Sequence, residues 1–501
     1  MARIRTTIAL LSAGALALGG CGSGPTASRQ GAPAPVGRPG APAPAASPTG
    51  TPGFGPDGFA GEVDPATEPH STFAMDVDTA SYGYARNLIR QGQRPDPQAV
   101  RPEEFVNAFR QDYRQPDGNG FTVSLDGTRL PTTHRPRQGG DLRLLRVGLQ
   151  TRAEDQAERR DAALTFVIDV SGSMGDPGKL DMVKAALNTL IDQLRPADSV
   201  AIVTFNDEAQ VVRPMTRVAQ RGDLHAAVSR LRADGSTNLE SGLVTGYRVA
   251  RDGYRAGLTN RVVLLSDGLA NVGDTAAEPI LARVREEARK QITLLGVGVG
   301  NDYGDALMER LADQGDGHVV YVSEAAQARK VFVEQLPATL SVRALDAKVQ
   351  VTFDARTVAG YRLIGYDDRR LAASAFRDDR VDGGEVGSGH SVTALYAVRL
   401  REDAGGTLVQ ARIRWQDPIT KEAREAGATV SVADLGRAFA EAAPRLQVCY
   451  AAAYFAEVLR QSPYGAEVNP GDLGSVAARA AARTDDPDVI DLAELIRRAQ
   501  R

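Results

Sequence analysis

Between Ala162 and Val322, short and fully apolar runs alternate with longer segments whose apolar residues recur at helical spacing. Few folds accept that alternation. A strand without a polar face is buried on both sides, and a chain that returns through a helix each time builds a mainly parallel sheet with helices on both faces. The pattern predicts strands at Leu164–Asp169, Ser199–Phe205, Val262–Ser266, Ile292–Val299 and His318–Val322. It predicts helices at Leu180–Leu194, Leu224–Leu231, Leu239–Ala250, Pro279–Lys290 and Asp305–Leu311, with Ala209–Arg213 as one antiparallel edge strand. The expected fold class is α/β, a doubly wound, mainly parallel sheet. In such sheets ligands bind beyond the carboxyl ends of the strands.

The polar signals lie at those ends. Asp169-Val170-Ser171-Gly172-Ser173 follows the first apolar run directly, and alternate positions put one carboxylate and two hydroxyls on one side, with Gly172 allowing the sharp turn. Asp234-Gly235-Ser236-Thr237-Asn238 opens the helix at Leu239, where Asn238 or Thr237 suits the cap. Ser266-Asp267-Gly268 ends the strand Val262–Leu265. Singly, Asp-x-Ser-x-Ser reads as a cap and Ser-Asp-Gly as a turn. All three, in this order and each after a buried strand, converge as a set of hard oxygen donors without His or Cys, which suits a small divalent cation such as Mg²⁺.

These residues resemble the metal-ion-dependent adhesion site of the von Willebrand factor type A domain. The resemblance implies direct coordination of Mg²⁺ or Mn²⁺ by Ser171, Ser173 and Thr237, with Asp169 and Asp267 acting through waters or behind the ligands. It also implies an open coordination position that accepts a carboxylate of a partner. Phe73–Tyr82, Asn87–Gln93 and Val100–Phe105 before this domain, and Tyr361–Tyr366, Asp382–His390 and Tyr454–Tyr464 after it, resemble the companion domains of a family of bacterial lipoproteins.

The chain opens with an address. Arg3 and Arg5 precede an eleven-residue apolar and small stretch, Ile8–Leu18, too short to remain as a spanning helix. The run ends in Leu18-Gly19-Gly20-Cys21, which resembles the lipobox at which a cysteine is acylated and becomes the mature N-terminus. From Gly22 to Pro69 the chain holds eleven of its 27 prolines, with Ala-Pro-Ala-Pro at 32–35 and 41–44. Such a stretch cannot bury a core and is expected to act as a disordered tether. The expected location is therefore extracytoplasmic, anchored by lipid to a bacterial membrane. The domains expected are a signal peptide (1–20), a lipidated tether (21–69), an N-terminal companion (70–160), the type A domain (161–340) and a C-terminal companion (341–501).

With 59 basic against 63 acidic side chains, no basic surplus supports nucleic-acid binding. Two cysteines, Cys21 and Cys449, exclude a disulfide scaffold, and Cys449 reads as a core thiol. Gly296-Val297-Gly298-Val299-Gly300 has no phosphate-binding lysine after it and reads as a close-packed strand end, so no nucleotide is expected. Asp76-Val77-Asp78-Thr79 has the Asp-x-Asp-x-Thr form of aspartyl-phosphate hydrolases, but Ser71–Met75 is a poor central parallel strand. Arg221-Gly222-Asp223 reads as a helix start, and the five histidines are scattered outside the site loops.

Two functions fit: a metal-dependent module that binds an acidic residue of another protein or polymer, and a metal-assisted hydrolase. Hydrolysis needs a base beside the metal-bound water, and both site carboxylates, Asp169 and Asp267, are committed to orienting the cation. Binding without catalysis is the expectation, next to an envelope scaffold in which the metal only stabilises the fold. The partner itself is not legible. Finally, alternating runs occur on both sides of the type A domain, at Phe121–Leu125 and Leu142–Gln150 before it and at Ala347–Phe353, Tyr361–Tyr366, Val392–Leu400, Leu408–Trp415 and Thr429–Val432 after it. Two strands alone are marginal, so the earlier pair is expected to join the later five in a discontinuous antiparallel sandwich that carries the type A domain as an insertion. Helices at Ala80–Gln91, Glu103–Tyr113, Leu435–Arg460 and Val489–Ala499 are expected to flank it.

Overall fold

The computed structural model describes residues 59–75, 77–153, 159–268, 277–300, 306–336, 340–381 and 383–500. Cys21, the greater part of the tether and Asp76 lie outside the described residues. Among the described residues sixteen strands occur in this order: β1 His70–Ala74, β2 Phe121–Arg129, β3 Asp141–Thr151, β4 Ala162–Asp169, β5 Ser199–Phe205, β6 Ala209–Arg217, β7 Thr259–Ser266, β8 Ile292–Val299, β9 His318–Val322, β10 Val342–Phe353, β11 Val358–Ile364, β12 Arg370–Leu371, β13 Val386–Gly387, β14 Ser391–Leu400, β15 Thr407–Gln416 and β16 Ala423–Ser431.

The central sheet has the order β6-β5-β4-β7-β8-β9, parallel throughout except for β6, which pairs antiparallel with β5 at the edge. Leu164, Phe166 and Ile168 of β4 pack under the helix Leu180–Gln193, while Val167 points to the other face, under the helix Leu239–Asp252. The two-residue period of a strand thus feeds two cores at once. β4 lies between β5 and β7, the switch point from which the chain winds outward in both directions, and in sheets of this kind ligands bind beyond the carboxyl ends there.

The remaining strands form two antiparallel sheets, β12-β1-β10-β15-β16 with β13 on β10, and β11-β14-β3-β2. Their facing sides share one core, in which Leu145, Val147, Tyr396 and Val398 meet Phe73, Val349, Val351 and Ile413. The ladder from Ser391↔Gln150 to Leu400↔Asp141 joins β14 to β3. Strands from before and after the central domain therefore complete one sandwich, and that domain is an insertion. Both crossing points lie together. The amide of Thr259 donates to the Asp161 carbonyl at 2.9 Å and its hydroxyl to the Leu340 carbonyl at 2.5 Å, at the amino ends of β4 and β7, opposite the site loops. Helices Ala80–Arg90, Pro444–Leu459, Pro470–Thr484 and Pro487–Arg498 build a further core outside the second sheet, against Leu144, Ile364 and Leu395.

Several expectations are corrected. The tether does not run to residue 69: Ala60 is buried, and Val63 and Tyr361 exchange backbone hydrogen bonds of 2.8 and 3.0 Å, because Val63 finds an open place beside β11. The helix expected at Glu103–Tyr113 stops at Asn107, since Asp112 takes a left-handed backbone and Tyr113 folds back into the space left by Gly148. The helix expected from Leu435 starts at Pro444, whose missing N–H suits a first turn. Ser71–Met75, in keeping with its reading as a poor parallel strand, contributes to the antiparallel β1, and the Asp78 carboxylate beyond it accepts the Val319 amide at 2.8 Å, a structural contact.

Candidate metal centre

Asp169 ends β4 fully buried, where its Oδ1 accepts the Ser171 amide at 2.9 Å and its Oδ2 the Ser266 hydroxyl at 2.7 Å. Burial raises the pKa of this carboxyl, and the hydrogen bonds from Ser171 and Ser266 oppose that rise. The chain then turns through the short 3₁₀ segment Gly172–Gly175. That turn sets the Ser171 and Ser173 hydroxyls 3.2 Å apart, and Ser173 donates to Oδ1 of Asp267 at 2.9 Å. Asp267 is buried, and its other oxygen accepts the Lys179 ammonium at 2.8 Å. The first and third loops are joined side chain to side chain.

The second loop is joined by backbone. Gly172 donates to the Gly235 carbonyl at 2.9 Å, and Asp234 to the Val170 carbonyl at 2.8 Å. Gly235 has φ +80°, open to glycine, and a Cβ there would stand 2.5 Å from an Asp207 oxygen. Asp207 accepts the Ser236 hydroxyl, and the Asn238 side chain caps the next helix at the Ser241 amide, 3.0 Å away. Thr237 is held buried between these anchors.

The structure therefore links Asp169, Ser171, Ser173 and Asp267 directly and brings the loop of Thr237 against them. The donors are hydroxyl and carboxylate oxygens; among the described residues, no group of three or more His, Cys, Asp and Glu side chains comes together as a metal site. The set suits a hard cation held partly by neutral oxygens and water. Sequence reasoning missed Lys179 and the role of Ser266. Lys179 had one signal, being one of six lysines in an arginine-rich chain.

Comparison with known proteins now bears on this geometry. The family model "von Willebrand factor type A domain" matches residues 163–334, the model "Uncharacterized protein YfbK, C-terminal" matches 338–501, and the model "von Willebrand factor" matches 60–137. Residues 163–334 are a von Willebrand factor type A domain. The chain is also a homologue of the uncharacterized protein YfbK of Escherichia coli, with 33% identity over 384 residues, 72% of this chain and 66% of the relative. Inter-alpha-trypsin inhibitor heavy chain H2 of Mus musculus is 28% identical over 162 residues, 31% of this chain and 17% of the relative. The matched stretches thus span two thirds or less of these relatives' own lengths. Among solved structures, the von Willebrand factor type A protein from Catenulispora acidiphila aligns with a TM-score of 0.48 at 19% identity, covering 75% of this chain and 89% of that one.

The other candidates are built into the fold. Asp223 of the Arg-Gly-Asp triplet lies in the first turn of the helix Arg221–Ser229 and pairs with Arg213 at 2.5 Å. Cys449 is buried, donates to Gln111 at 2.9 Å, and has its thiol pushed up to about 11 by burial. His134 lies between Tyr450 and Glu467, each 3.1 Å away. His318 and His390 face each other across the junction of type A domain and sandwich, ring centroids 6.3 Å apart. Burial, with the Arg261 charge nearby, holds both rings below the usual histidine range, His390 at about 4. Among the described residues no helix is long and apolar enough to cross a membrane.

Proposed function

We propose that this chain is a membrane-anchored, extracytoplasmic binding protein whose type A domain captures an acidic group of a partner protein or polymer through one Mg²⁺ or Mn²⁺. Ser171, Ser173 and Thr237 are the direct ligands, and Asp169 and Asp267 orient them and the bound waters. The observation that carries the reading is the continuous hydrogen-bonded set Ser171–Ser173–Asp267, with Asp169 behind it, at the carboxyl ends of β4 and β7. When bound, the cation supplies an electrophilic open position for a carboxylate. Neutral hydroxyl ligands leave it that character, whereas a site closed by carboxylates would quench it.

The reading is one of binding without catalysis. A general base must take a proton from a nucleophilic water; in this reading Asp169, held by Ser171 and Ser266, and Asp267, held by Ser173 and Lys179, orient the ligands and the bound waters instead. The site lies at the end of the type A domain opposite its junction with the sandwich, and Gly172 and Ser173 of its first loop are exposed. Anchoring rests on Cys21, whose acylation with two or three chains holds a protein stably to a bilayer.

Calorimetry with Mn²⁺ tests the metal reading: Asp169→Ala and Asp267→Ala should each weaken binding at least a hundredfold, with the fold of each variant checked by circular dichroism. Unchanged affinity in both variants contradicts it. Pull-down from envelope extract with and without EDTA then tests capture. For the anchor, Cys21→Ser should move the protein from the membrane to the soluble fraction; unaltered fractionation contradicts lipidation.

A further inference from the structure

Lys179 immediately precedes the helix Leu180–Gln193, so its charge lies at the positive end of that helix, where cations are disfavoured. Its side chain is 9% exposed, yet it is an ammonium, whose burial is costly unless it is paired. The space for it is provided on purpose by the neighbouring strand. Gly300, just after β8, has φ +92°, and a Cβ there would stand 2.8 Å from Lys179 Cε. The lysine stem passes through that gap and delivers the ammonium to Asp267 Oδ2 at 2.8 Å and to Asp176 Oδ2 at 3.2 Å. Asp176 is largely exposed, whereas Asp267 is buried.

A lysine that only filled space would gain nothing from this arrangement. The ammonium fixes which Asp267 oxygen faces the hydroxyls, leaving Oδ1 to Ser173. It also changes the charge of the centre. Lys179 sets one positive charge against the Asp267 carboxylate, so the centre is one unit more positive with the lysine than without it. That difference holds for the empty centre and for the centre loaded with a divalent cation alike. Opposite consequences follow for the two ligands of the site, since a fixed charge in a poorly solvated place repels a cation and attracts an anion.

We propose that Lys179 is the charge-setting and positioning residue of the centre: it weakens cation binding and strengthens the hold of the loaded centre on a carboxylate. This rests on the metal-binding reading above and deepens it.

The test uses the full chain in detergent, as wild type, Lys179→Met and Lys179→Gln, with folding checked by thermal melting. Mn²⁺ is titrated first. The Mn²⁺-saturated proteins are then titrated with a short oligoglutamate peptide. Lys179→Met should bind Mn²⁺ at least tenfold more tightly and the peptide at least fivefold more weakly, and Lys179→Gln, which keeps polarity without charge, should follow it. A merely structural lysine would loosen both ligands together. Mn²⁺ affinity unchanged or weakened in both variants overturns the proposal while leaving the metal reading standing, provided the wild type binds. Absence of Mn²⁺ binding in all three proteins overturns both.

Discussion

Gly300 and Lys179 show how one missing methyl group supports a charge two elements away. A Cβ at Gly300 would need both a left-handed backbone and the space of the lysine stem. Gly300→Ala should therefore lower stability by about 1–2 kcal/mol in urea unfolding, and Mn²⁺ affinity should change with it as Lys179 is displaced. At this scale the sequence was informative where chemistry is local. Asp169, Ser171 and Ser173 lie within five residues and Asp267 ends an apolar run, so oxygen donors at strand ends could be read directly. Lys179 could not, because its partner lies 88 residues away and no spacing rule links them. The Gly-rich strand end was read as close packing, and Gly296, whose Cβ would stand 3.0 Å from Met308, is an instance of it.

Helix Leu239–Asp252 illustrates the scale of elements. It carries Thr237 at its amino end and lies on β4 and β5 through Gly242 and Gly246: a Cβ at Gly242 would stand 2.7 Å from the Phe205 ring, and one at Gly246 would collide with Val167. Gly246→Val should push the helix off the sheet, lowering stability by about 2 kcal/mol or more in urea, and should weaken Mn²⁺ binding by moving Thr237. Unchanged stability would show that the contact is not tight. Buried strands were legible because apolar runs such as Ser199–Phe205 and Ile292–Val299 have sharp ends. Helices of the last core were less so. The helix Pro470–Thr484 does not stand out in the sequence although Asn469 caps it at the Gly471 amide, 2.8 Å away, and Pro470 takes its first turn; its many alanines blur the apolar period that marks a helix face.

On the scale of the whole molecule, the insertion puts the site loops at the end of the type A domain opposite its junction with the sandwich. Because Asp161 and Leu340 both reach Thr259, the type A domain has adjacent ends, and residues 160–341 expressed alone should fold and bind Mn²⁺ with wild-type affinity. Strand pairing across the insertion was legible from an argument of sufficiency, two strands being too few for a sheet, whereas the pairing of β1 with β10 and β12 was not, since five residues leave little pattern. The junction also carries a pH dependence. His318 from β9 and His390 from the turn before β14 face each other, with Arg261 of β7 beside them and Glu385 near that arginine. Both rings have pKa values below that of the unfolded chain, near 6.5. The unfolded state takes up protons that the folded state refuses, so stability is complete above about pH 6.5 and falls as the pH drops toward 4. Between pH 7 and pH 5 His390 alone should cost about 2 kcal/mol, with His318 adding to it, and His390→Phe should reduce the loss. Equal urea midpoints at the two pH values in the wild type would contradict this.

The account stands on a cation at the carboxyl ends of β4 and β7. Crystals of the protein soaked in Mn²⁺ and measured at the manganese absorption edge test it most directly. The account predicts a single strong anomalous peak among Ser171, Ser173 and Thr237, next to Asp267. A peak elsewhere, or none at a Mn²⁺ concentration that saturates the protein in solution, would contradict it.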